Sequence, residues 1–99
     1  MNYQVRFAPR AADDLQRLFD FLAGQDVSAA ACAREAIGKA IDFLQTFPFA
    51  CRKIAPDQPL MRELVIEFGR AGYVALYEIE SASLVTVLAV RHQREDDYH

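Results

Sequence analysis

The sequence predicts an α+β domain in which a helical hairpin packs on one face of a small, mostly antiparallel sheet, in the order β-α-α-β-β-β. Three observations predict it. Apolar residues alternate from residue 3 to 8, recur at helical spacing up to Pro48, and alternate again from residue 63 onward. Only a few residues separate the two helical stretches, which makes them antiparallel neighbours. The last stretch, Leu84 to Val90, is apolar on both faces and reads as the most covered strand. With 99 residues and no repeat or composition break, residues 1–99 form a single domain.

In "YQVRFA", residues 3 to 8, Tyr3, Val5 and Phe7 share one face while Gln4 and Arg6 take the other, the pattern of a half-buried strand. Pro9 suits the first turn of a helix, and Asp13 and Asp14 are expected near its positive end. Leu15, Leu18, Phe19 and Leu22 form its apolar stripe, and Gly24 can close it. Ser28 is the expected cap of the second helix. Its stripe is Ala33, Ile37, Ala40, Ile41 and Leu44, and Pro48 ends it. Between Pro48 and Pro59 no period is visible, so this segment reads as a surface loop. Leu64, Ile66 and Phe68 then oppose Glu63 and Glu67. After the turn "GRAG", Tyr73, Ala75, Tyr77 and Ile79 share the inner face of the next strand. That leaves Val65, Val74, Leu76, Val85 and Val87 for the uncovered face, and exposed apolar sheet surface marks a binding site.

Composition narrows the function. The chain is 53% hydrophobic and 25% charged, as in a folded globular domain. No apolar run approaches the roughly 18 residues needed to span a bilayer, and "MNYQVRF" carries no signal-peptide pattern, so a cytoplasmic location and no membrane partner are expected. The net charge of −3 and pI near 5.2 argue against a protein that grips nucleic acid through phosphates. Six of the eleven basic residues nonetheless lie between Arg52 and Arg94, against five acids. Cys32, Cys51, His92 and His99 offer no metal-ligand spacing, so no metal or other cofactor is expected. "GRAG" is followed by no helix and is not a phosphate loop.

The closing segment "AVRHQREDDYH" places Arg91, His92 and Arg94 where the last strand leaves the core. By themselves these residues fit a solvated strand exit, in which an Arg94–Glu95 or Arg94–Asp96 pair would contribute only ~0–1 kcal/mol. His92 has the titration range of an acid or base, but nothing in the sequence supplies it with a partner. Arg70, between two glycines in a turn, stands where binding residues collect.

Three strings in order, "VRFAPRAADDLQRLFDFL", "FGRAGYVALYEIE" and "VTVLAVRHQRED", resemble the RelE/ParE superfamily of bacterial type II toxins over essentially the whole chain, and the first and last are closer to its ParE branch. The resemblance implies a growth-inhibiting toxin of a plasmid-stabilisation type of system, neutralised by a cognate ParD-like antitoxin and touching DNA only through it. Members of the RelE branch cut mRNA on the ribosome; those of the ParE branch block DNA gyrase. RelE-like nucleases bring cations to the phosphate: two lysines at alternate positions of one strand, an arginine after the tyrosine of the next, and an arginine near the end of the last, often with a tyrosine in the tail. Carried onto this chain, these positions are Val65 and Glu67, Val74, Arg94 and Tyr98.

A valine and a glutamate in place of lysines remove the charge that a phosphorane-like transition state needs. The expectation is therefore a gyrase-binding toxin with Arg70, Arg91, His92 and Arg94 as its contact surface. The antitoxin would sit on Leu15, Leu18, Val65, Val74, Leu76, Val85 and Val87. A ribosome-dependent nuclease using Arg94, His92 and Tyr98 is the alternative, and a relic that only binds antitoxin is a third reading. Convergence of Arg52, Lys53 or Arg62 with Arg94 and His92 around a phosphate-sized hollow would reverse the preference.

Overall fold

The computed structural model of the protein describes residues 2–69 and 71–93. Strand β1 (Gln4–Phe7) leads into helix α1 (Pro9–Gln25) and helix α2 (Val27–Thr46). A short β2 (Arg52–Lys53) precedes the long strands β3 (Met61–Phe68), β4 (Ala71–Ile79) and β5 (Leu84–His92). The order in the sheet is β1-β5-β4-β3-β2. All pairs are antiparallel except β1 with β5, which are parallel and separated in the chain by the helical hairpin and strands β2 to β4.

Pro9 opens α1 at its first turn, where the missing N–H leaves no bond unmade. Asp13 and Asp14 lie beyond that turn, so the expected pairing with the helix end does not occur. Asp14 is buried instead, and its Oδ2 accepts the Val90 N–H at 2.9 Å. Gly24 lies inside α1, which continues to Gln25. Asp26 rather than Ser28 caps α2, its carboxylate accepting the Ser28 N–H at 2.9 Å. Leucine and phenylalanine at helical spacing on α1, and Ala33, Ile37 and Leu44 on α2, close over the sheet. Phe47 caps α2 just before Pro48.

The core lies between the helices and one sheet face, where Ile66, Tyr73, Ala75, Tyr77, Ile79, Val85, Val87 and Val90 gather. Each apolar side chain fully removed from water here contributes about 1.5–3 kcal/mol. Tyr77 is wholly buried and donates its hydroxyl to the Pro48 carbonyl at 2.6 Å, tying the end of α2 to the sheet. Burial, with the neighbouring Cys51, pushes its phenol far above the usual range.

Two expectations change. The segment after Pro48 is not only loop: Arg52 and Lys53 pair with Glu63 and Arg62, a two-residue strand too short for any period to reveal. Val85 and Val87 do not lie on the uncovered face; both are fully buried beneath the helices, opposite Ile79 and Tyr77. The reason is a bulge. Tyr77 pairs with Val87 and Leu76 with Ala89, so Leu88 is an extra residue and the alternation of β5 reverses there. Among the described residues no helix is long and apolar enough to cross a membrane.

Candidate functional site

The face of the sheet away from the helices carries the polar chemistry. Cross-strand register sets one row of Val65, Val74 and Arg91, and a second of Glu63, Leu76 and Ala89 with Arg52 outside Glu63. Neighbours on one face of paired strands lie within side-chain reach. Arg52 therefore meets Glu63 Oε1 with both Nε and Nη2, each at 3.1 Å. Arg91 Nη2 approaches the other carboxylate oxygen, Oε2, at 3.9 Å. Arg91 is held on its own side by Nη1, which donates to the His92 carbonyl at 3.2 Å. Arg52, Val65, Val74, Arg91 and Gln93 line a hollow of about 310 Å³.

Of the cations named as possible recruits, only Arg52 reaches this hollow. Lys53 follows it on a strand where successive side chains take opposite faces. Arg62 is buried elsewhere, its guanidinium donating to the carbonyls of Phe49 (2.8 Å), Cys51 (2.9 Å) and Pro59 (2.9 Å). It also stands 5.1 Å from the Phe49 ring, so its role is to fold the loop before β3. His92 turns to the helix side and meets the Tyr73 ring edge-on at 5.8 Å. Tyr73 belongs to the core, and burial pushes its phenol up. Arg91 and His92, grouped by the sequence as one contact surface, thus point to opposite faces. Arg70, Arg94 and Tyr98 lie outside the described residues.

The expected antitoxin positions divide in the same way. Val65, Val74 and Leu76 stand on the open face, Val65 42% exposed and Val74 only 3%. Leu15 and Leu18 are half-buried and pack against the core from α1. Besides these, Ala36, Lys39, Ala40 and Phe43 of α2 and residues 64–67 of β3 enclose a second, largely apolar groove of about 580 Å³. Beyond Glu63, the outer edge of β3 has no strand beside it among the described residues. At the opposite end of the open face Arg6 meets Glu80 at 2.8 Å, and Thr86 donates its hydroxyl to the same carboxylate. The Thr86 hydrogen bond, aided by Arg6, holds the Glu80 carboxyl below its ordinary value.

Sequence reasoning missed Arg52 and Glu63 as partners of Arg91. Glu63 shares its face with Val65 by spacing alone, which was a usable signal. Nothing periodic marks Arg52, whose place depends on pairing with β3. Among the described residues no cluster of histidine, cysteine, aspartate or glutamate could hold a metal ion.

The chain matches the model of the ParE toxin of the type II toxin–antitoxin system parDE over residues 5–97. It is 32% identical over 84 residues to Toxin RelE1 of Caulobacter vibrioides, covering 85% of this chain and 87% of that one. Among solved structures, the chromosomal ParDE toxin–antitoxin system from P. aeruginosa has the same fold, with a TM-score of 0.72 at 19% identity, over 91% of this chain and 95% of that chain. The fold, the order of its elements and the family match agree: the chain belongs to the ParE family of toxins of type II toxin–antitoxin systems.

Proposed function

We propose that this toxin acts by binding DNA gyrase in the cytoplasm, without hydrolytic chemistry of its own, and that a cognate ParD-like antitoxin keeps it inactive. The observation that carries this reading is the charge on the open sheet face. Val65, Val74 and Glu67 stand where RelE-like nucleases, by the resemblance, place cations, and the two arginines that do meet there share the carboxylate of Glu63. A carboxylate between two guanidiniums cancels half of the positive charge a transferring phosphate would need. His92 points to the other face and is not within reach of the hollow as an acid or base. The antitoxin is assigned to the groove between α2 and β3, where Phe43 and Val65 remain exposed beside an open strand edge that an extended segment can join. Leu76 lies on the same sheet face as Val65, whereas Leu15 and Leu18, on α1, pack against the core away from this groove.

Purified gyrase with relaxed plasmid tests the target: supercoiling should fall as toxin is added and recover with antitoxin. Full supercoiling at saturating toxin removes the reading. One observation favours a second reading, a ribosome-dependent nuclease: Arg52 does join Arg91 around a hollow of about 310 Å³. That reading requires mRNA on translating ribosomes to be cut at discrete codons and Arg94→Ala to abolish the cutting. Intact transcripts in arrested cells rule it out.

A further inference from the structure

We infer that Arg62 is a positioning residue: from the helix side of the sheet it closes the base of segment 52–58 and thereby presents Arg52 on the open face to the toxin's target. The inference rests on the reading that the open face meets that target, but not on the target being gyrase. The Arg62 guanidinium gathers both ends of the segment. Its Nη1 donates to the carbonyls of Phe49 (2.8 Å) and Cys51 (2.9 Å), which precede β2, and its Nε donates to that of Pro59 (2.9 Å), which follows it. Arg52 is the residue after Cys51, so its backbone leaves directly from a held carbonyl. Tyr77, opposite Arg62 in the β3–β4 pair, holds the nearby Pro48 carbonyl at 2.6 Å.

Among the described residues little else fixes this segment. Strand β2 meets β3 at Arg52 and Lys53, the Ile54 N–H donates to the Met61 carbonyl at 3.1 Å, and both Ile54 and Leu60 remain exposed instead of entering the core. A segment with few buried apolar contacts opens locally, well below the free energy of global unfolding. An apolar residue at position 62 would continue the inner row of Leu64, Ile66 and Phe68 without burying a charge. The three bonds from Arg62 offset a desolvation that packing alone does not require. What they add is the place of Arg52. That side chain takes the opposite face, meets Glu63 at 3.1 Å and lines the hollow of about 310 Å³. It is 60% exposed against 15% for Arg91, so Arg52 is the arginine of this hollow that a macromolecule reaches first.

The test uses the full chain, amide hydrogen exchange, and growth arrest on induction at matched protein levels. Arg62→Met keeps a long, adaptable side chain and removes the donors. The Ile54 amide should then exchange about tenfold faster or more, the scale of one lost bond to a charged group, while the amides of β4 and β5 keep their protection. Arg62→Lys, which keeps the charge but not the planar fork, should fall between parent and Arg62→Met. Arg52→Gln should raise the toxin level needed for arrest about five- to tenfold, the scale of one interface contact, and Arg62→Met should raise it to a similar degree. Because Arg62 acts through Arg52, the double variant should be no weaker than the weaker single one, whereas independent losses would multiply. Where Arg62→Met fails to fold, Arg62→Lys serves the same comparisons. The proposal is overturned by an unaltered Ile54 amide, by exchange that quickens equally in β4 and β5, by arrest that Arg52→Gln leaves unchanged, or by multiplied losses in the double variant. Full gyrase supercoiling beside non-additive arrest removes gyrase as the target and leaves the role of Arg62 standing.

Discussion

Removing the carboxylate of Asp14 should destabilise the toxin far more than its place on a helix surface suggests. Asp14 is 5% exposed, and its Oδ2 is the acceptor for the buried Val90 N–H at 2.9 Å, joining α1 to β5. Strand β1 ends opposite Val87, so among the described residues no strand continues along this edge to accept that N–H. Stranding a buried donor costs about 1–3 kcal/mol. The arginines that also reach Asp14, Arg17 and Arg10, are 73% and 45% exposed and add ~0–1 kcal/mol each. Asp14→Ala should therefore lower stability by about 2–3 kcal/mol, which for a domain of this size lowers Tm by roughly 10–20 °C.

Asp14→Asn separates the two contributions, because the amide oxygen can still accept from Val90 while the ion pairs are lost. It should cost no more than about half as much. Urea denaturation followed by circular dichroism measures both variants, with an unchanged slope confirming that the native fold is compared throughout. An Asp14→Ala protein within about 0.5 kcal/mol of the parent, the range of ordinary surface changes, would refute the reasoning. Equal losses in Asp14→Asn and Asp14→Ala would show that the ion pairs, not the Val90 bond, carry the effect.

Three further outcomes are expected. Tyr77→Phe leaves the buried Pro48 carbonyl without its 2.6 Å donor and should cost about 1–3 kcal/mol in the same denaturation assay. Gly72→Ala would put a methyl group 2.0 Å from the Ile66 carbonyl oxygen across the β3–β4 pair. Backbone must move, so a loss of about 3 kcal/mol or more is expected, together with disturbed amide shifts along both strands. Glu80 has its carboxyl held below 4.5 in the folded state, chiefly by Thr86 and then by Arg6. Its contribution is complete above that value and is lost as pH falls through the folded-state value, so melting curves below pH 4.5 should show a shallower acid loss in Glu80→Gln than in the parent.

How much of this was legible in the sequence depends on whether alternation was informative. On β3 and β4 it was: Leu64, Ile66 and Phe68, and Tyr73 to Ile79 at every second position, all reached the core. On β5, Val85, Val87, Leu88 and Val90 are apolar whichever face they take, so no pattern could reveal that Leu88 is an extra residue. The helix caps were read one feature too literally. Asp26 and Ser28 are both good capping residues, and only the observed hydrogen bond separates them. The site was the least legible part. Arg52 and Arg62 are ten residues apart on the paired strands β2 and β3, yet Arg62 is a buried clamp on three carbonyls and Arg52 faces Glu63.

The bulge connects these points. Continued alternation from Val85 and Val87 would have sent Ala89 and Arg91 inward, beneath the helices. The extra residue at Leu88 reverses the parity, so that Val90 and His92 take the core side and Arg91 emerges beside Glu63. The bulge lies on the β4 side of β5, while on the β1 side pairing stops at Val87. Two residues past Leu88, the Val90 N–H is the one that Asp14 accepts. A buried carboxylate on α1 thus secures the stretch of β5 that delivers Arg91 to the open face. This explains why a charged residue is retained in a helix face that otherwise packs leucine and phenylalanine. On this account Asp14→Asn, which keeps the Val90 bond, should preserve the environment of Arg91, whereas Asp14→Ala should perturb Val74 and Gln93 beside it although neither touches Asp14.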